Sequence, residues 1–331
     1  MRITILTYLE RENSKEHDPV VDQVAVALRR RKHTVSVLGV HGSVNKLIGG
    51  LRRRKPDLVF NLMEMFGDDL NGDVAVTGLL EILGVPYTGG GPGEFYLRSD
   101  KALAKKLLAF EDIRTPDFAV FTPKAEMETG GNLHMPLFVK PLRADASIGV
   151  NGKSLVTTTE QLMNRVQAIH KELNDAALAE EYVKGREFYV GVLGNQAPTA
   201  LPPIEVDFTG FPEGKPRIMD AKAKFEKETP EFKGTKSVLA DIPDELRAKL
   251  HKVSLEAYRA LRVRDYGRVD LRMAETGDIY VIEVNASCYL EQAGEFATAA
   301  AAAEIEYDDL VDRIVVLAME RAKARNVKSR L

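Results

Sequence analysis

Four side chains near the C-terminus have the types and spacing to do chemistry: Arg268, Asp270, Glu283 and Asn285. Residues 268–274 and 279–285 each alternate with a period of two, and Thr276-Gly277 between them is a turn signature, so the stretch predicts a β-hairpin. With those two residues as the loop, Asp270 stands opposite Glu283 and Arg268 opposite Asn285. Alternation then gathers these four on one face and sends Val269, Leu271, Ile282 and Val284 to the other. Directly opposed side chains are roughly 4.5–5.5 Å apart at Cβ. Two carboxylates and an amide oxygen held that close call for a cation. Hard oxygen donors suit Mg²⁺ bound together with nucleotide phosphates better than Zn²⁺. A solvated outer sheet face of mixed charge satisfies the same spacing.

The rest of the chain supplies the frame in which this hairpin sits. Its 331 residues allow two to three domains and a sizeable core, and 44% hydrophobic with 29% charged residues is an ordinary globular composition. A net charge of −3 leaves no footprint for nucleic acid; the basic runs 29–32 and 52–55 read as helix C-termini. Cys288 is the single cysteine, which excludes an internal disulfide and fits a reducing compartment. It reads as a buried or merely tolerated thiol, with a reactive one as the alternative. The N-terminal MRITILTYLE is a strand rather than a signal peptide, and no stretch has the length to cross a membrane, so the expectation is a cytoplasmic protein.

Segments 3–7, 19–30, 34–38, 44–53, 58–62 and 74–83 alternate strand and helix, which predicts a parallel sheet with helices on both faces. The glycine-rich stretch 84–93 then marks a loop and a domain edge near 95. Ser99 is expected to cap the next helix with Asp100 in its first turn. Lys101 falls at that helix's positive end, where an anion would offset it. Segment 136–141 reads as a strand ending in Lys140, followed by the loop LRADASIGV with Gly149 as its only glycine. A helix at 159–173, a strand at 177–182, a turn at 183–187 and a strand from 188 follow, with a change of domain near 185. Residues 210–237 read as a polar loop that would carry Lys222 and Lys224 on one side if extended. Helices are expected at 243–263, 297–303 and 310–324.

In chain order, these segments resemble the ATP-grasp superfamily and, within it, the D-alanine–D-alanine ligases. The resemblance is carried by VPYTG at 85–89, SDKALAKKLL at 99–108, FVKP at 138–141, SIGV at 147–150, AEEYVKGREF at 179–188, DAKAKF at 220–225, YGRVD at 266–270 and IEVNAS at 282–287. It implies an α/β (α+β) ATP-grasp fold of three domains: 1–95, 96–184 and 185–331. It also implies a carboxylate–amine ligase that binds ATP between two sheets. By resemblance, Lys101, Lys140 and Lys224 bind phosphate, with Lys222 beside them. Ser147 belongs to the loop closing over the phosphates. Glu180, Glu181, Tyr182 and Val183 hold the adenine, and Glu187 the ribose. Asp270, Glu283 and Asn285 bind two Mg²⁺ ions, for which Mn²⁺ is an option. Arg268, assisted by Ser147 and Lys224, stabilises the transferring phosphoryl group. Small amino-acid-like substrates are implied, and a homodimer through the N-terminal domain.

The substrate side departs from the family's pattern. Glu64 stands where a histidine is expected, Ala146 where a serine is, and Phe225 where a tyrosine is common. The family's EREVS has no clean counterpart in LERENSKEHDPV, where Glu12 and Glu16 are nearby candidates. Its SPGMT becomes Ser287-Cys-Tyr-Leu-Glu291, and its Ser-Leu pair falls near Gly294-Glu295. The expectation is therefore a ligase with its ATP half retained and its amino-acid half rebuilt. Glu64, Glu291 and Glu295 favour a substrate with an amine or other cationic group. A true D-alanine–D-alanine ligase of peptidoglycan synthesis and an inactive ATP-binding protein are the alternatives.

Overall fold

The computed structural model describes residues 1–331 apart from 13, 15, 124–126, 130–132, 145–146, 213, 216, 326–329 and 331, and apart from the side chains of 127–129, 221 and 225. Three sheets organise the described residues. The first is parallel, with Arg2–Tyr8 between Thr34–Val40 and Leu58–Leu62. Helix Pro19–Arg30 connects its first two strands and Val44–Arg54 the next two, the crossover arrangement that parallel pairing requires. Ile3, Ile5, Leu58 and Phe60 pack on one face with Val24 and Leu28, while Leu6 and Val59 pack on the other with Leu47, Leu51 and Leu80. Helices therefore cover both faces, as the alternation predicts. The C-terminal helix Tyr307–Ala324 joins the first face through Leu310, Ile314 and Ala318.

A second, antiparallel sheet orders Met127–Thr129, Phe118–Phe121, Ala177–Glu181, Leu137–Pro141 and Leu155–Val156. The third, also antiparallel, orders Lys236–Leu239, Ile204–Asp207, Gly185–Leu193, Tyr266–Ala274 and Ile279–Ala286, with Thr199–Ala200 beside Gly185–Leu193. Its core face carries Phe188, Val190, Val269, Leu271, Val281 and Val284 against Leu250, Ala257 and Tyr258 of helix Asp244–Ala260.

Several sequence expectations need correction. Residues 92 and 93, expected in the loop, instead start the helix Pro92–Ser99, because Pro92 at its start needs no donor and Glu94 reaches back to the Gly91 N–H at 2.9 Å. Asp100, not Ser99, caps the helix Lys101–Phe110: its carboxylate accepts from Leu103 N at 3.0 Å. The strand expected from 188 begins at Gly185, so Arg186 and Glu187 lie in the sheet. Segment 210–237 contains the short helices Ala221–Phe225 and Pro230–Lys233, capped by Asp220 and Thr229, and the start of strand Lys236–Leu239. On a helix, Lys222 and Lys224 are about 200° apart rather than on one side.

The hairpin itself carries two offsets that cancel. Ala274 N donates to Asp278 O at 2.8 Å, so the loop is 275–277 rather than Thr276-Gly277 alone. A bulge at Ile282 then restores the pairing of Asp270 with Glu283 and Arg268 with Asn285. Ile282, expected on the core face, lines the cleft instead, and Val281 takes its place opposite Leu271. Gly277 has φ +87° with nothing within 4 Å of an added Cβ. Gly277→Ala is therefore expected to cost about 1–2 kcal/mol from backbone strain alone, seen as a lower urea midpoint with an unchanged slope.

Candidate active site

A cleft of about 1220 Å³ runs between the three sheets. Typical single-ligand pockets are roughly 300–1,000 Å³, so this one has room for a nucleotide and further substrates. The hairpin forms its floor. Arg268 forks onto Asp270, Nε to Oδ1 at 2.7 Å and a terminal nitrogen to Oδ2 at 2.9 Å, and stacks over the Tyr189 ring at 4.6 Å. Burial opposes the Arg268 charge, but Asp270 outweighs it and holds the guanidinium firmly protonated. Burial pushes the Asp270 carboxyl above its ordinary range, against the pull of Arg268. Asn285 Nδ2 donates to Asp270 Oδ2 at 3.1 Å, and Lys224 lies within electrostatic reach of the same carboxylate.

Lysines approach from the second sheet and the helix before it. Lys101 Nζ lies 3.5 Å from Glu283 Oε1 and donates to Ala144 O at 2.7 Å, which supplies the offset its place at a helix N-terminus requires. Deeper, Glu180 is clamped between Lys105 Nζ at 2.6 Å and Lys140 Nζ at 2.7 Å. Burial alone would raise the Glu180 carboxyl; the two lysines overcome it and hold the group at about 2. Burial pushes Lys105 down, whereas Glu180 and Glu283 outweigh burial at Lys140 and keep it up.

The segment expected to hold the base has its carboxylates engaged within the protein. Glu180 faces the lysines, and Glu181 accepts from His134 N at 2.8 Å and pairs with its Nδ1 at 2.7 Å. Val183 O and Glu187 are both held by Arg272, at 3.0 Å and 2.7 Å, and Tyr189 donates its hydroxyl to Glu187 at 2.9 Å. The Tyr182 ring lies under Arg272 at 5.1 Å. Ser147, at φ +60°, donates to Met219 O at 3.0 Å, so the loop expected to close over the phosphates touches the 210–237 segment. Lys222 is exposed and does not line the cleft, whereas Lys224 does.

On the substrate side, Glu16, Glu64, Glu291 and Glu295 all line the cleft. Glu295 accepts from Ser237 Oγ at 3.1 Å and stands 3.9 Å from Arg268, and Gly294 caps its helix Glu295–Ala302. Ser287 Oγ accepts from Gly90 N at 2.8 Å, which ties the end of the hairpin to the glycine-rich loop. Glu12 is turned away onto Lys46 at 3.0 Å and Gly42 N at 3.1 Å. Ala146 and the Phe225 side chain lie outside the described residues. Cys288 is buried, which pushes its thiol up to about 12, so it is not a thiolate near neutrality.

Arg272 and Tyr189 line the cleft and Lys105 holds Glu180 beside it, and sequence reasoning missed all three. A signal existed for two of them. Lys105 is one helical turn after Lys101, and Arg272 continues the alternation of Arg268 and Asp270.

Among the described residues no group of three or more His, Cys, Asp or Glu side chains could hold a metal ion. The patch is two carboxylates completed by an amide. It fits a hard divalent cation in one respect: Glu283 Oε1 is buried without a hydrogen-bond partner.

The family model described as D-ala D-ala ligase C-terminus matches residues 106–316. The chain is 32% identical to the uncharacterized protein y4sG of Sinorhizobium fredii (strain NBRC 101917 / NGR234), over 91% of this chain and 88% of that one. It is 31% identical to the D-alanine–D-alanine ligase of Desulforudis audaxviator (strain MP104C), over 90% and 92%. The crystal structure of the Bacillus anthracis D-alanine–D-alanine ligase complexed with ATP superposes with a TM-score of 0.75 at 25% identity, covering 98% of this chain and 99% of that one. With an ATP-grasp architecture and a cleft that joins lysines to an Arg/Asp/Glu/Asn hairpin, the chain belongs to the D-alanine–D-alanine ligase family of ADP-forming, C–N bond-forming ATP-grasp ligases.

Proposed function

We propose that the protein joins two amino-acid-like substrates through an acyl phosphate, with a substrate pocket altered from that of its D-alanine–D-alanine ligase relatives. The observation that carries this is the convergence in one cleft of Lys101, Lys140 and Lys224 with Arg268, Asp270, Glu283 and Asn285. A free carboxylate is a poor acyl donor because oxide would have to leave. Transfer of the γ-phosphoryl group to it makes phosphate the leaving group, and an amine can then attack.

Lys101, Lys140 and Lys224 place fixed positive charge beside the phosphates before transfer begins. Arg268, locked by Asp270 and the Tyr189 ring, meets the charge that develops during transfer. Asp270, Glu283 and Asn285 would hold two Mg²⁺ ions, whose contribution when bound is to neutralise phosphate charge. The Ser147–Met219 contact lets the two facing segments exclude water from the hydrolysable acyl phosphate. Adenine and ribose fall to the 180–183 segment and Glu187, whose existing pairing with Arg272 fixes the carboxylate before the nucleotide arrives.

ADP release with Mg²⁺-ATP and a panel of D- and L-amino acids, singly and in pairs, tests this. The expected result is turnover that needs a donor or acceptor other than D-alanine. D-alanine alone driving full turnover would make the protein a D-alanine–D-alanine ligase and overturn the altered pocket. No ADP release with any pair would overturn the reaction itself.

A further inference from the structure

The cleft is bipolar along the chain. Among its described lining residues up to position 97, the acidic or imidazole side chains are Glu10, Glu16, Asp18, Glu64 and His17, and no lysine or arginine is among them. Every lysine and arginine lining the cleft comes from Arg98 onward. His17 is itself paired with Asp22 at 3.2 Å.

Three separate stretches build the acidic end. The Tyr289 hydroxyl donates to the Asp18 carboxylate, at 2.9 Å from Oδ1, and Gln292 N donates to Gln23 Oε1 at 2.8 Å, pinning the stretch after the hairpin to the first helix. Glu291 and Glu64 approach the same phenol, which burial together with these carboxylates pushes above its usual range. Like charges gathered around one exposed position raise a local negative potential that favours a cationic ligand.

A second, independent feature opens into the same cleft. Asn61, at the end of the strand Leu58–Leu62, is 2% exposed. Its Oδ1 accepts from Met63 N at 3.3 Å and its backbone N donates to Thr88 Oγ1 at 2.9 Å, yet its Nδ2 has no hydrogen-bond partner. A buried amide donor without an acceptor is unfavourable, and a ligand oxygen would satisfy it.

We propose that this end of the cleft is a recognition subsite for a basic amino-acid-like substrate: Glu291 holds a protonated amine or guanidinium, and Asn61 donates its Nδ2–H to an oxygen of the same molecule. Diamino and guanidino acids have this chemistry. A short monoamine such as alanine has no second positive group to offer. The proposal rests on the ligase reading only for the reaction that follows binding.

Calorimetric titration of lysine, ornithine, arginine and alanine, each in both hands, into the protein with Mg²⁺ and a non-hydrolysable ATP analogue separates the two. Basic ligands are expected to bind at least about tenfold tighter than alanine of the same hand, and Glu291→Gln to weaken them about tenfold by removing a charge-assisted hydrogen bond. Equal affinities for alanine and the basic ligands, or charge removal that leaves affinity within about twofold of the unaltered protein, would overturn the subsite. Selective binding of basic ligands without ADP release from ATP would leave the subsite standing and remove the ligase reading; ADP release with alanine and no basic selectivity would do the reverse.

Discussion

Glu283→Gln is expected to lower ADP release by on the order of 10² to 10³ while the protein stays folded, its melting temperature lowered by the counter-charge taken from Lys101 and Lys140. The change keeps the side chain's size and removes its charge. Glu283 Oε1 is buried without a hydrogen-bond partner 3.5 Å from Lys101, so no internal hydrogen bond is lost in the exchange. What goes is an anionic oxygen able to hold a cation beside the phosphates. Arg268→Ala should reduce turnover at least as far, for two reasons. It removes the fixed charge that meets the transferring group, and it strips the fork from Asp270, whose carboxyl burial already pushes toward the protonated form. ADP release at saturating Mg²⁺-ATP, measured beside a thermal melt, checks both variants. Undiminished turnover in either would remove the metal and phosphoryl assignments at this hairpin.

Glu180→Ala should destabilise the fold by about 3–5 kcal/mol, because it leaves two buried lysines facing each other. Lys105 and Glu180 are 2% and 3% exposed, and their ion pair is 2.6 Å long, so little solvent is present to screen the loss. The same clamp sets an acid dependence. Glu180 is held at about 2 against an ordinary 4.5. A depressed folded value means the stabilisation is fully present above about pH 4.5 and drains away as pH falls toward 2, in total about 3 kcal/mol. Removing Lys105 as well, as in Lys105→Met with Glu180→Gln, is expected to recover only part of the loss, since one buried lysine leaves with the carboxylate while Lys140 keeps only Glu283 and Asp270 to offset it. Urea unfolding at pH 7 and pH 3 reads all of these. A single-variant loss below about 1 kcal/mol would show the clamp to be no stronger than a surface pair.

Both predictions concern residues joined across long stretches of chain, and here the reach of sequence reasoning is clearest. The hairpin was legible because its information is local: a period-two alternation, a Thr-Gly turn, and polar residues falling on one face. Even there the register came out through two compensating offsets, the longer loop at 275–277 and the bulge at Ile282. A bulge depends on how neighbouring strands twist, and the sequence of one hairpin does not encode that. The first parallel sheet was legible for the same reason, since strand and helix alternate at short spacing. The helices at Pro92–Ser99, Ala221–Phe225 and Pro230–Lys233 were not, because their caps sit among glycines, prolines and charges that also spell loop.

Residue types and their order along the chain show which groups are chemically able to act: four polar groups on one hairpin face, lysines at 101, 140 and 224, and carboxylates at 16, 64, 291 and 295. How those groups are employed follows from the packing of distant elements. It turned Glu180 inward between Lys105 and Lys140, tied Glu187 to Arg272, and joined Ser147 to Met219. It also gathered Asp18, Glu64 and Glu291 around Tyr289 from three distant stretches. A side chain's charge and hydrogen-bonding capacity are written in its type. Whether that capacity is spent inside the protein or left for a ligand depends on which neighbours packing brings within about 3 Å, and no spacing along the chain contains that.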